Sequence, residues 1–141
     1  DNLWLISSGT GIGPYLSMLG THTLWQRFKH IVLVHTVRTI ADLAYRDYIH
    51  HWQHQYPNQL HYQPVVTREA MSGALDQRLP QLIQTGALQR SCKQPLNERS
   101  QVMLCGNPQM ITDTKALLQS MGLKKNLRRD PGNITVEQYW K

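Results

Sequence analysis

No run of apolar residues in this 141-residue chain approaches the length needed to cross a bilayer, which excludes a membrane-spanning helix. Cysteine is scarce. Cys92 and Cys105 lie far apart with no CxxC spacing, which argues against zinc and against a disulfide scaffold and suits a reducing cytoplasm. No secretory signal pattern is visible either, so a cytoplasmic setting is expected. Internal repeats and low-complexity tracts are missing. Acidic residues are few: 9 Asp+Glu stand against 15 Lys+Arg, a formal net charge of +6. Such a basic domain can hold nucleic acid, a phosphorylated small molecule or an acidic protein. The basic residues form no single stripe, and only Lys124, Lys125, Arg128 and Arg129 cluster. Nothing reads as a Ser-His-Asp triad or a carboxylate pair. His50 and His54 share a helix face, but the glutamate of an HExxH motif and an obvious third ligand are lacking, so they read as a solvated face and no metal site is expected.

What is present fits one globular domain spanning 1–141, with 40% hydrophobic residues and enough length for a core without staples. The chain is organised around Leu3–Pro14, LWLISSGTGIGP. A short apolar run meets a glycine-rich turn, and an apolar-periodic segment follows. Glycine lets a backbone approach a ligand closely and adopt positive φ. The free N–H groups of the following helix favour an anion, most often a phosphate. The spacing of Gly9, Gly11 and Gly13 is GxGxG, not the GxGxxG dinucleotide fingerprint, so a plain tight turn remains an alternative.

Further along, Tyr15, Leu16, Met18 and Leu19 predict a helix ending near Gly20. His30–Arg38 is dense in β-branched residues and predicts a buried strand. Asp42 is expected to cap the next helix, whose buried face would carry Tyr45, Tyr48, Ile49, Trp52 and Tyr56. Leu60–Thr67 predicts a third strand, at a sheet edge because it contains Pro64. A short helix is expected over Leu79–Gln84, and Gln89–Ser100 reads as irregular. Gln101–Cys105 predicts a fourth strand, and Pro108 opens a helix lined by Met110, Ile111, Thr114, Leu117, Leu118 and Met121. Ile134–Trp140 has β character. This alternation predicts an α/β fold, an open five-stranded parallel sheet with helices on both faces.

Ligands of such sheets bind at the carboxyl ends of the strands. That rule gathers Gly9–Gly13, Thr36–Arg38, Thr67–Glu69 and Cys105–Pro108 in one place. The motifs GTGIGPYLS (9–17), LVHTVR (33–38), ADLAY (41–45), VVTRE (65–69), VMLCGNPQM (102–110) and LRRDPGNITVEQYW (127–140) occur in order along nearly the whole chain. Together they resemble the pyridine-nucleotide domain of the ferredoxin/flavodoxin–NADP(H) reductase family, bacterial subclass.

The resemblance implies an FAD-dependent oxidoreductase that moves a hydride between NADP(H) and flavin N5. It then implies single-electron exchange with an acidic ferredoxin or flavodoxin. The family's arginine–aromatic–serine flavin motif is absent here, so its FAD-binding domain is expected to lie N-terminal to residues 1–141. The chain alone is then expected to be inactive, and a monomer that binds neither nucleic acid nor membrane. The resemblance also assigns sites. Gly9, Thr10, Gly11 and Gly13 would receive the dinucleotide. Arg38, Arg68 and Arg78 would bind the 2′-phosphate, for which guanidinium forks are well matched. Gln77 stands where the family carries a glycine before the third of these arginines. Cys105 would stand beside the nicotinamide at the point of hydride transfer, acting by packing and orientation, with Gly106 and Asn107 leaving room for the dinucleotide. Trp140 would face FAD. Solvated surface arginines and a core cysteine are the plain alternatives for these residues. The competing functions are an NADH-dependent reductase component of an oxygenase, and a non-catalytic basic module for nucleic acid or an acidic protein.

Overall fold

The computed structural model describes residues 1–127 and 129–137. Five strands form one parallel sheet: β1 Asn2–Ser8, β2 His30–Val37, β3 Leu60–Val66, β4 Gln101–Cys105 and β5 Ile134–Glu137. Their order is β3-β2-β1-β4-β5. The chain winds outward from β1 to β3, returns to the other side of β1 for β4, and continues to β5. The direction therefore reverses between β1 and β4, where doubly wound sheets open their ligand crevice.

Both faces are covered, which explains why the buried residues of the strands are mostly apolar on either side of the sheet. Trp4 and Ile6 of β1 point one way with Val32 and Val34 of β2, under Leu79, Leu82, Leu88 and Leu118. Those residues belong to α4 Leu79–Thr85, α5 Ala87–Cys92 and α6 Pro108–Ser120. Leu3, Leu5, Ile31 and Leu33 point the other way, under Tyr15, Leu19, Trp25 and Ile49. These come from α1 Gly13–Leu19, α2 His22–Arg27 and α3 Arg46–Gln55. The expected five-stranded parallel sheet with helices on both faces is the observed architecture, and β3 with Pro64 is an edge strand.

Local expectations differ in three places. Asp42 caps no helix: it closes a 3₁₀ turn, Ile40–Asp42, where Thr39 Oγ1 donates to its carboxylate at 3.0 Å. α3 starts four residues later, after Tyr45 at φ 64°. Consequently Tyr45 and Tyr48 are exposed, and the covered side of α3 is Ile49 with the partly buried Trp52 and Tyr56. Gln89–Ser100 is not wholly irregular, because α5 places Leu88 and Cys92 one turn apart in the core. Between α1 and β2 a short unexpected helix, α2, buries Leu24 and Trp25, and the Trp25 indole donates to Leu19 O at 2.9 Å. Finally, β5 is described to Glu137, and the expected extension to Trp140 lies outside the described residues.

Candidate nucleotide site

Two glycine loops meet at the reversal point between β1 and β4. After β1, Gly9 takes φ 54° and the chain forms a 3₁₀ turn, Gly9–Ile12, that runs into α1. After β4, Gly106 takes φ 128° before α6 begins. Ser8 Oγ accepts the Asn107 N–H at 2.8 Å and so links the two loops. Asn107 also caps α6, its Oδ1 accepting from Gln109 N and Met110 N at 2.8 and 3.2 Å. Pro108 follows at the first helical turn, where its missing N–H costs nothing.

The glycines here are of three kinds. Gly11 is needed for space: a Cβ on it would fall 2.7 Å from Cys105 O and from Gly106 Cα. Gly106 needs both space and positive φ, since its Cβ would collide with Ser8. Gly9 needs only its left-handed backbone, with open space beyond. Gly13, at φ −49°, is an ordinary first residue of α1. Gly9, Thr10 and Asn107 are exposed, whereas Gly11, Cys105 and Gly106 are buried. The result is an exposed shelf of Gly9, Thr10 and Asn107 on a base formed by the buried Gly11 and Gly106. A left-handed residue entering a right-handed turn is a backbone arrangement that forms anion-binding concavities. This shelf fits a dinucleotide's pyrophosphate.

Two of the three expected arginines are brought together. Arg68 N donates to Arg38 O at 2.9 Å, and Thr67 N donates to Val37 O at 3.1 Å, extending the pairing of β2 and β3 past the strand ends. Both arginine residues are exposed. Arg78 precedes α4. Its loop returns to the same end of the sheet, where Leu75 pairs with Val65. No carboxylate occupies the tip of β2, where an acidic residue would hold the 2′-hydroxyl of NAD. Cys105 is fully buried on the face that carries Leu5 and Leu33. Trp140 lies outside the described residues, as does Arg128 of the basic cluster.

Sequence reasoning missed Ser8 and His35. Ser7 pairs with His35 on one side and with Cys105 on the other, so the three form one row across the sheet. The His35 side chain is fully buried and its Nε2 lies 2.7 Å from Gly9 O. A carbonyl only accepts, so Nε2 carries the proton. Burial lowers the His35 pKa from its ordinary value, outweighing the bond to Gly9 and the charge of Asp42. The ring is thus neutral, and its Nδ1 is buried without a hydrogen-bond partner. An imidazole inside the apolar run HIVLVHTV was the available signal. Two concavities, one around Trp25, Tyr56 and Gln59 and one around Leu3, Gln101 and Thr135, lie at the amino ends of the strands. They are on the wrong side of the sheet for this chemistry.

Residues 5–116 match the model of the oxidoreductase NAD-binding domain. The chain belongs to that family. It is 46% identical over 142 residues to a flavodoxin/ferredoxin–NADP reductase of Escherichia coli strain K12, covering 99% of this chain and 57% of that protein. A ferredoxin–NADP reductase of Pseudomonas aeruginosa is 34% identical over 147 residues, covering 97% of this chain and 56% of the relative. The chain thus spans little more than half the length of these curated relatives. Among solved structures, a ferredoxin NADP+ reductase from Neisseria gonorrhoeae with bound FAD and NADP superposes with a TM-score of 0.90 at 30% identity. That superposition covers 96% of this chain and 55% of the other. The glycine shelf, the Arg38–Arg68 pair and the reversal point therefore sit on a fold shared with nucleotide-dependent reductases.

Proposed function

We propose that the chain is the NADP(H)-binding domain of an FAD-dependent ferredoxin/flavodoxin–NADP(+) reductase. The observation that carries this reading is the convergence of two interlocked glycine loops with paired arginines at the carboxyl end of one sheet. Gly9, Thr10 and Gly11 would hold the pyrophosphate, with Gly13 starting the helix behind them. Arg38, Arg68 and Arg78 would hold the 2′-phosphate. Gly106, with no side chain, and Asn107, whose side chain caps α6, would leave room for the nicotinamide arm. Cys105 ends β4 beneath that path and would orient the ring by packing, which needs no thiolate. Bound in this way, NADP(H) supplies hydride chemistry toward a flavin, and the cofactors carry the reaction while the protein sets their positions.

In this reading FAD is held mainly by a domain N-terminal to these 141 residues, with Trp140 facing it. The protein acts as a cytoplasmic monomer and binds neither nucleic acid nor membrane. Its partner is an acidic ferredoxin or flavodoxin, to which the +6 net charge is complementary. Among the described residues, no helix is long and apolar enough to cross a membrane. Calorimetric titration of the chain with NADP+ and NAD+ tests the proposal. NADP+ should bind with clear preference, and the purified chain should carry no stoichiometric flavin. Equal affinity for the two nucleotides would favour an NADH-dependent reductase component instead. No binding of either would remove the nucleotide site altogether.

A further inference from the structure

We propose that His35 is a positioning residue of the nucleotide site, whose Nε2–H holds the Gly9 carbonyl and so turns the Thr10 N–H outward to meet the pyrophosphate. The inference rests on the nucleotide reading above and extends it to a side chain that reading does not use. It begins from the Nε2–Gly9 O bond of 2.7 Å. In a trans peptide the C=O and the following N–H point to opposite sides. A carbonyl pulled inward to a buried imidazole therefore sends the Thr10 N–H the other way, toward the exposed shelf. Gly9, at φ 54° with no atoms near its would-be Cβ, has the conformational freedom to rotate this plane. The 3₁₀ turn bonds this carbonyl from along the chain, and the His35 Nε2–H holds it from the sheet, so the two together fix the plane.

The choice of residue supports this role. His35 sits in a cross-sheet row of buried side chains, in a strand whose other buried residues are Ile, Val and Leu. Its Nδ1 is buried with no partner. An unbonded polar atom in the interior is unfavourable, and a valine would fill the strand without it. The imidazole is thus poorly explained by packing and well explained by the bond it makes to the turn. Burial also keeps the ring neutral, which leaves one proton for Nε2 and fixes the tautomer that donates. The groups facing the ring are the Gly9 carbonyl and, electrostatically, Asp42.

The test compares two ligands on the 141-residue chain. NADP+ carries the pyrophosphate, whereas 2′-AMP carries the adenosine and the 2′-phosphate without it. His35→Ala should weaken NADP+ at least about tenfold while 2′-AMP changes less than about threefold. His35→Gln, whose amide N–H can donate in place of Nε2, should recover most of the loss. In the unmodified chain the Thr10 amide resonance should shift on adding NADP+ and stay in place on adding 2′-AMP, a readout independent of whether His35→Ala folds. The inference is overturned by equal losses for both ligands, by no loss for either, or by a Thr10 amide that ignores NADP+. If the unmodified chain bound neither ligand, the nucleotide reading itself would fail, a result distinct from these.

Discussion

Gly11 rests on Gly106: a Cβ built on Gly11 would stand 2.7 Å from Gly106 Cα, with the Cys105 carbonyl equally close. Backbone meets backbone there, so neither side can yield as a flexible side chain would. Gly11→Ala is expected to cost about 3 kcal/mol, the upper end of what overpacking exacts. Gly9→Ala meets no atoms and suffers only from its left-handed φ, an expected cost of about 1 kcal/mol. Gly106→Ala combines collision with Ser8 and a φ of 128°, and should be the worst of the three. Urea denaturation of the three variants gives the order directly. A Gly9→Ala variant less stable than Gly106→Ala would contradict this account of the interlocked loops.

The sheet was readable because most of its strands centre on short apolar stretches, with β-branched residues dense in β2, bounded by glycine and proline punctuation. Pro64 correctly marked the edge. Helix starts were less readable, because a side chain such as Asp42 can cap a 3₁₀ turn as easily as a helix, and the αL residue that begins α3 is a tyrosine. The glycine turns and the arginines at the strand ends were legible as candidates. That Arg38 and Arg68 meet followed from the rule on strand ends; the backbone bond between them did not, because it depends on strands that lie adjacent only in three dimensions. The bond from His35 to Gly9 has the same character: it spans two neighbouring strands, and no spacing along the chain encodes it.

Acid should destabilise the fold from near neutrality downward. His35 and His61 both have pKa values lowered from the ordinary 6.5, His35 by burial, His61 by burial and then by its neighbour His30. Below about pH 6.5 the unfolded chain takes up protons at these positions while the folded chain resists, so the unfolded state binds more protons and stability falls. Above the unfolded pKa both states are neutral there, and this contribution is fully present. The urea midpoint should therefore be higher at pH 7.5 than at pH 5.5, with a shallower decline in His61→Gln. A midpoint that rose on acidification across this range would reverse the sign of the argument.

Neither thiol should react readily in the folded protein. Cys105 is fully buried, and burial pushes the Cys92 thiol up to about 12. A thiol reagent attacks the thiolate, so lack of access protects both side chains and protonation further protects Cys92. With Ellman's reagent at pH 8, labelling of the native chain should be slow and limited by unfolding. In denaturing urea both cysteines should titrate at once. A thiol that reacted within seconds in the native protein would mean that α5 around Cys92 or the end of β4 at Cys105 opens more freely than its packing implies.

Nucleotide choice tests the arginine assignment most directly. NADP differs from NAD by a 2′-phosphate that is mostly dianionic at neutral pH. The backbone bond between Arg38 and Arg68 places two guanidinium-bearing residues side by side at the end of the sheet. Each charge-assisted hydrogen bond to a phosphate is worth roughly 1.5–3 kcal/mol. Desolvation, side-chain ordering and salt reduce the sum to a net preference of about 3–4 kcal/mol, on the order of a few hundredfold for NADP+ over NAD+. Arg68→Ala should remove much of that preference and leave NAD+ affinity nearly unchanged, because the part of the ligand common to both nucleotides does not include this phosphate. Arg38→Ala should behave alike. Arg78→Ala should do less, since Arg78 precedes α4 outside the β2–β3 pairing and follows Gln77. Calorimetric titration of both nucleotides against the three variants measures all of this. If Arg68→Ala weakened NAD+ and NADP+ by the same factor, or changed neither, the 2′-phosphate would have to be held elsewhere.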